Sequence, residues 1–193
     1  MTCSATCLCF ARRSAVCLVV ALLPSVAMNR AAQAQEEATT ISLGDFTITA
    51  PKQWERQQPR SRIIAYEFAV PAVEGDEDGG RMTVMAAGGS VVANIERWYG
   101  QFTQPDGGST KETPKVEEKE IAGQEVHLVD LAGTFSDRRG PAFPAVEREN
   151  YRMLAAIIVT KQGQFFIKFY GPRKTVSENK DRFAKMIDSL AAK

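Results

Sequence analysis

The stretch Tyr151 to Thr160 constrains this chain more than any other. Read as a strand, it sets Met153, Ala155, Ile157 and Val159 on one face and Leu154, Ala156 and Ile158 on the other. A strand that is apolar on both faces must be covered on both, so its sheet lies between two layers. A sheet with one face in water would alternate apolar and polar residues, and this stretch does not.

The rest of the chain supplies neighbouring strands and the covering layers. Phe46 to Ala50 alternates and stops at Pro51, Ile63 to Val70 stops at Pro71, and Met82 to Ala87 follows. Between the last two, Glu74-Gly75-Asp76-Glu77-Asp78-Gly79-Gly80 reads as an exposed loop. Val116 to Glu120 is a polar edge strand, and Val126 to Leu131 returns after a turn at Ala122-Gly123-Gln124. Lys161-Gln162-Gly163 is a hairpin loop that leads into Gln164 to Tyr170.

Two helices are expected. Val91, Val92, Ile95, Trp98, Tyr99 and Phe102 form one apolar stripe at helical spacing, with Ser90 as cap and Pro105-Asp106-Gly107-Gly108 as terminator. Near the end, Thr175 and Glu178 have capping-box spacing, and Val176, Phe183, Met186, Ile187 and Leu190 give the buried stripe. The order is three strands, a helix, four strands and a helix, which points to an antiparallel sheet covered by helices.

The first 34 residues read as a secretory signal peptide. Arg12 and Arg13 supply the positive region, Ser14 to Met28 runs without charge, and Ala32-Gln33-Ala34 is a small-x-small cleavage site. The uncharged run is about 15 residues, short of the ~20 that a spanning helix needs. No stable transmembrane segment is expected once the leader is gone, and the chain is expected in a periplasm or outside the cell. All four cysteines (Cys3, Cys7, Cys9 and Cys17) lie in the leader, so the exported chain would have neither disulfide nor thiolate chemistry. Of 24 basic and 23 acidic residues, the leader takes Arg12, Arg13 and Arg30, leaving 21 against 23 and a net charge of −2. That balance gives no drive toward nucleic acid or anionic membranes. Residues 35–42 are expected as a flexible tether and 43–193 as a single domain.

Three stretches together resemble the PsbP-like superfamily: Phe46-x-Ile48-x-x-Pro51-x-x-Trp54, then Tyr151-Arg152-Met153-Leu154, then Phe165-Phe166-Ile167-Lys168-Phe169-Tyr170-Gly171-Pro172 with the final apolar helix stripe. The chain is most similar to the small exported bacterial members without an assigned role. The resemblance implies an α+β fold, an antiparallel sheet of about six strands with helices on both faces, an α/β/α sandwich. It implies binding and accessory roles and no one reaction. Photosystem members handle calcium, chloride and manganese, but no ligand set of theirs is matched here. Pro51 has its own physical reading, since it ends a strand by lacking a donor and lets Trp54 fold under the sheet edge.

Sites for chemistry are few. His127 is the only histidine, which excludes a multi-histidine metal centre. Asp130, three residues on, falls on the opposite strand face, and no Gly-x-Ser-x-Gly elbow is present, so a hydrolase is only the remote alternative. Glu74-x-Asp76-x-Asp78-Gly79 imitates the start of a calcium loop, but its twelfth position is Met85 instead of Glu, leaving at most weak calcium binding. Gly88-Gly89-Ser90 could offer amides to an anion but matches no phosphate-loop pattern.

The connection Phe135 to Asn150 carries Asp137-Arg138-Arg139-Gly140-Pro141-Ala142-Phe143-Pro144. Arginines beside an exposed aromatic are enriched where proteins bind, so Arg138, Arg139 and Phe143 are the candidate binding residues. No catalytic residue, metal or cofactor is expected. The chain reads as an exported, non-catalytic binding or accessory module for a protein or small ligand. A structural envelope-associated protein is the alternative.

Overall fold

The computed structural model describes residues 38–104, 115–138 and 143–193. Its elements begin with β1 (Thr40–Leu43), β2 (Phe46–Thr49), β3 (Glu55–Gln57), β4 (Tyr66–Val70), β5 (Gly80–Ala87) and α1 (Val91–Tyr99). There follow β6 (Phe102–Thr103), β7 (Lys115–Ile121), β8 (Gln124–Asp137), β9 (Val146–Thr160) and β10 (Gly163–Pro172). The chain closes with α2 (Arg173–Glu178), α3 (Lys180–Asp188) and β11 (Ala191–Ala192).

The large sheet has eight strands, all paired antiparallel, in the order β3-β4-β5-β10-β9-β8-β6, with β7 also on β8. The strand that demanded two covered faces, β9, sits inside this sheet between β10 and β8. Met153, Ala155, Ile157, Ala156 and Ile158 are 0% exposed and Leu154 is 4% exposed, so both of its faces are sealed.

On one face, Met153, Ala155 and Ile157 join Val129, Leu131 and Phe166 beneath Ile95, Trp98 and Tyr99 of α1. Trp98 meets Phe166 edge to face at 5.5 Å. On the other face, Leu154, Ala156 and Ile158 join Phe68, Met82 and Phe169 beneath the sheet β1-β2-β11 and helices α2 and α3. Ile41, Leu43 and Ile48 are the small sheet's contribution and Val176, Phe183, Met186 and Ile187 that of the helices.

The expected α+β sandwich, a six-stranded sheet with helices on both faces, is therefore not what forms. The protein is mostly β, with 52% of the described residues in strands and 17% in helices. The physical reason is length. Helices of nine, six and nine residues are too short to roof an eight-stranded sheet, and a second sheet takes over much of the cover. Of the residues 35–42 expected as a tether, Thr40–Ser42 belong to β1, where Ile41, like Leu43, is fully buried. The strand expected from Ile63 starts at Tyr66, and Ile63 is exposed.

Local readings near the chain end differ instructively. Thr175 does not cap a helix. It lies inside α2, fully buried, and the chain is interrupted at Asn179 before α3. The α2 start is capped from a distance: Asp76 accepts from the Thr175 amide at 2.8 Å and from its hydroxyl at 2.7 Å. The break at Asn179 is held by Trp54, whose Nε1 donates to Asn179 Oδ1 at 3.3 Å while its ring lies 4.9 Å from Phe169. The proline that ends the first expected strand thus places Trp54 where it locks the last two helices. By contrast, Ser90 caps α1 as expected, its Oγ accepting from the Ala93 amide at 3.1 Å.

Asp76→Ala should lower the unfolding free energy in urea by about 1–2 kcal/mol, as loss of a helix cap does. Glu178→Ala should change it by less than ~0.5 kcal/mol. The reverse order would restore the local capping box.

Candidate functional site

Both ends of the connection from Phe135 to Asn150, expected to lack an element of its own, are strand. β8 continues to Asp137 and β9 begins at Val146, so the two form a long hairpin. The sequence hid this because a bulge interrupts the alternation. The pairing slips between Gly133 and Phe135. Gly133 takes φ +150°, where a Cβ would lie 2.4 Å from the Thr103 carbonyl oxygen, and Asn150 opposite takes φ +55°. Bulges of this kind bend a hairpin and re-aim its end.

The end so aimed carries the candidate residues. Arg138 is exposed, Phe143 is 59% exposed, and Val146 adjoins them at 46% exposed. Arg139 lies outside the described residues. The stem beneath is stiff. Ser136 donates to Glu147 at 2.9 Å, and Arg148 sits 3.7 Å from Asp137 and 3.8 Å from Asp78. Phe135 stacks on Tyr151 at 6.1 Å and contacts Phe102 at 5.1 Å and Tyr170 at 5.2 Å. Beside the bulge is a pocket of about 440 Å³, lined by Gln104, Ala132, Gly133, Thr134, Glu149, Asn150 and Arg173.

The other sequence candidates are occupied by structural tasks. His127 is 5% exposed on β8, with Glu118 Oε1 3.3 Å from Nδ1 and Glu125 Oε1 2.5 Å from Nε2. The Glu125 approach is out of line for a hydrogen bond, and the two acids flank different nitrogens, so they do not converge on one ion. Asp130 points to the other face, as expected, and binds Arg152 at 2.8 and 2.6 Å and Lys180 at 3.2 Å. Burial opposes its charge, but the Arg152 and Lys180 contacts outweigh that and hold its pKa below the usual value. In the acidic loop, Asp76 is taken by Thr175, Asp78 faces Arg148, and the Glu74 carbonyl accepts from Lys174. At Gly88-Gly89-Ser90, Asn94 Nδ2 ties the Gly88 and Ser90 carbonyls at 3.2 and 2.9 Å and so shapes the lead-in to α1.

A further group escaped the sequence reading. Cross-strand pairing sets Glu67, Thr83 and Lys168 in one row across β4, β5 and β10, on the face that α1 covers. Arg81 and Tyr170 form the next row. Glu67 is 2% exposed and takes two bonds from Arg81, at 2.8 and 3.0 Å, and one from the Arg60 amide at 3.0 Å. The Arg81 hydrogen bond is the main cause of its lowered pKa. Arg81 also donates to the Tyr170 hydroxyl at 2.5 Å.

Lys168 donates to Gln101 Oε1 at 2.9 Å, with its ammonium 5.5 Å from the Trp98 ring centre and 5.8 Å from that of Tyr170. Burial, then Arg97 and Arg81 nearby, lower its pKa from 10.5 to about 8. The signal for this group was visible as charges at single positions in otherwise apolar strands, Glu67 in Tyr66–Val70 and Lys168 in Gln164–Tyr170.

No protein-family profile and no curated protein matches the chain. Solved structures do. A Pseudomonas aeruginosa protein of unknown function is 14% identical, covering 81% of this chain and 98% of its own, at a TM-score of 0.46. Cyanobacterial PsbP from Synechocystis is 8% identical, covering 82% and 94%, at 0.49. A Bacteroides thetaiotaomicron structure is 15% identical, covering 77% of this chain and 45% of its own, at 0.41. No helix among the described residues is long and apolar enough to cross a membrane.

The lowered Lys168 pKa sets a sign for stability. Between pH ~8 and ~10.5 the unfolded chain holds more protons than the folded one, so this group makes stability rise with pH there. Below that window the full penalty applies. Lys168→Met should therefore gain about 2 kcal/mol at pH 7, with the advantage shrinking toward pH 10 in urea unfolding. A variant less stable than wild type at pH 7 would contradict the assignment.

Proposed function

We propose that this chain is an exported, non-catalytic binding module of the PsbP-like kind that engages a protein partner through the end of the β8–β9 hairpin. The observation that carries the reading is the pair of exposed apolar side chains there, Phe143 and Val146, beside Arg138. Exposed aromatics with arginine are the residue types on which binding energy concentrates. The aromatic cluster of Phe102, Phe135, Tyr151 and Tyr170 supports the same reading, because a stiff stem reduces the ordering cost of association.

Export rests on the leader: Arg12-Arg13, the uncharged run to Met28 and Ala32-Gln33-Ala34. The PsbP-like assignment rests on the three sequence stretches from Phe46, Tyr151 and Phe165. The non-catalytic reading rests on the lack of a nucleophile motif in the sequence.

The test is capture from the source envelope with the exported chain, residues 35–193, against its Arg138→Ser/Phe143→Ser/Val146→Ser variant. One protein should be enriched on wild type and depleted about 30-fold on the variant, the loss expected when a hot spot is removed. The two proteins should have the same melting temperature, because all three side chains are exposed. Equal capture by both would refute the hairpin assignment. Absence of any wild-type partner would favour the structural envelope role.

A further inference from the structure

We propose that the pocket beside the β8–β9 bulge is a binding site for a small zwitterion of the α-amino acid type, with Arg173 on its carboxylate and Glu149 on its ammonium group. The reasoning starts from the register. β8 and β9 pair at Gly133 with Tyr151 and again at Phe135 with Arg148. Between those pairs β8 has one residue, Thr134, and β9 has two, Glu149 and Asn150. The extra residue is taken up by Asn150 at φ +55°, a left-handed conformation that asparagine adopts more readily than most residues. The ladder is open here, and the residues it leaves out line a pocket of about 440 Å³. That volume is of the size that takes a small molecule.

One wall is fixed by the chain itself. Gly133 lets β8 pass close to the Thr103 carbonyl, and the next residue, Gln104, donates through Nε2 to the Ala132 carbonyl at 3.0 Å. Arg173 joins the lining from the start of α2, just after Pro172 has paired with Tyr151. The lining is polar. Ala132 is its only apolar side chain among the described residues, so an apolar ligand would gain little burial there. Glu149 and Arg173 give the pocket one acid and one base. Among the described residues they do not pair with each other, and no ion pair or hydrogen bond engages either side chain. Their neighbours are committed elsewhere: Arg148 faces Asp137 and Asp78, and Arg152 holds Asp130.

An acid and a base that share a pocket without meeting are matched by a ligand that carries both charges on one small body. An α-amino acid does this. Its carboxylate accepts paired bonds from a guanidinium, and its ammonium donates to a carboxylate. The Thr134 hydroxyl and the Asn150 amide add donors and acceptors on the same lining. A simple anion would meet Glu149 and a simple cation would meet Arg173, so like charge selects against both. The site is separate from the side chains at the hairpin end and does not depend on a protein partner there.

Each standard α-amino acid, and the dipeptide alanylalanine, is screened against the purified protein by melting temperature, and responders are titrated by calorimetry. We expect at least one to bind saturably with a Kd of about 1 mM or tighter. Arg173→Gln and Glu149→Gln should each weaken it at least about tenfold, the loss of one charge-assisted hydrogen bond. Both side chains are exposed, so the variants should melt as wild type does in the absence of ligand. Two derivatives of the responder assign the charges. Its methyl ester, without the carboxylate, should bind wild type and Arg173→Gln alike. Its N-acetyl form, without the ammonium, should bind wild type and Glu149→Gln alike. Tighter binding of the dipeptide than of alanine would point to a peptide end as the ligand, and the reverse order to a free amino acid. The proposal is overturned if no amino acid or dipeptide binds that tightly. It is equally overturned if either variant, melting as wild type does, binds the responder as wild type does.

Discussion

The two apolar faces of β9 are the constraint on which this structure depends. Hydrophobic burial is the largest favourable contribution to folding, and it requires cover over Met153, Ala155 and Ile157 as much as over Leu154, Ala156 and Ile158. The two covers are unlike. One face is closed by a small sheet and two helices, pinned by Trp54, Asn179 and the distant cap from Asp76. Among the described residues, the other has one nine-residue helix, which seals the centre of the sheet around Trp98 and Phe166.

That asymmetry leaves charged and polar side chains on the α1 side of the sheet. Where α1 ends, the sheet face is finished by polar side chains, and Glu67, Thr83, Arg81, Lys168 and Tyr170 occupy rows that an apolar layer would otherwise fill. Tyr170 belongs both to this charged group, through Arg81, and to the aromatic stem of the hairpin, through Phe135. The hairpin stem and this charged group are therefore joined by packed side chains.

Much of the secondary structure was legible because it is written locally. The stripe of α1, its Ser90 cap and the two-faced pattern of β9 are periodic signals that need no distant partner. What was not legible depended on distance. The second sheet needs Ala191 and Ala192 beside Thr47 and Phe46, which no local pattern announces. The strand character of Phe135–Asp137 and Val146–Asn150 was masked by a bulge whose origin is the close approach of Thr103 to Gly133. The capping-box spacing of Thr175 and Glu178 was real in the sequence but lost to Asp76. At the site, Arg138 and Phe143 were visible as exposed residue types. Glu67 and Lys168 stood out as single charges in apolar strands, but their meeting in one row did not, since three strands bring it together.

The central claim is that α1 seals its face of the sheet around β9 closely enough to bury the Lys168 ammonium beneath Trp98. The most direct measurement is a titration of the lysine side chains by carbon-detected NMR. Lys168 should titrate near pH 8 because burial disfavours its charge. A Lys168 that titrates at the ordinary lysine value of about 10.4 would contradict it.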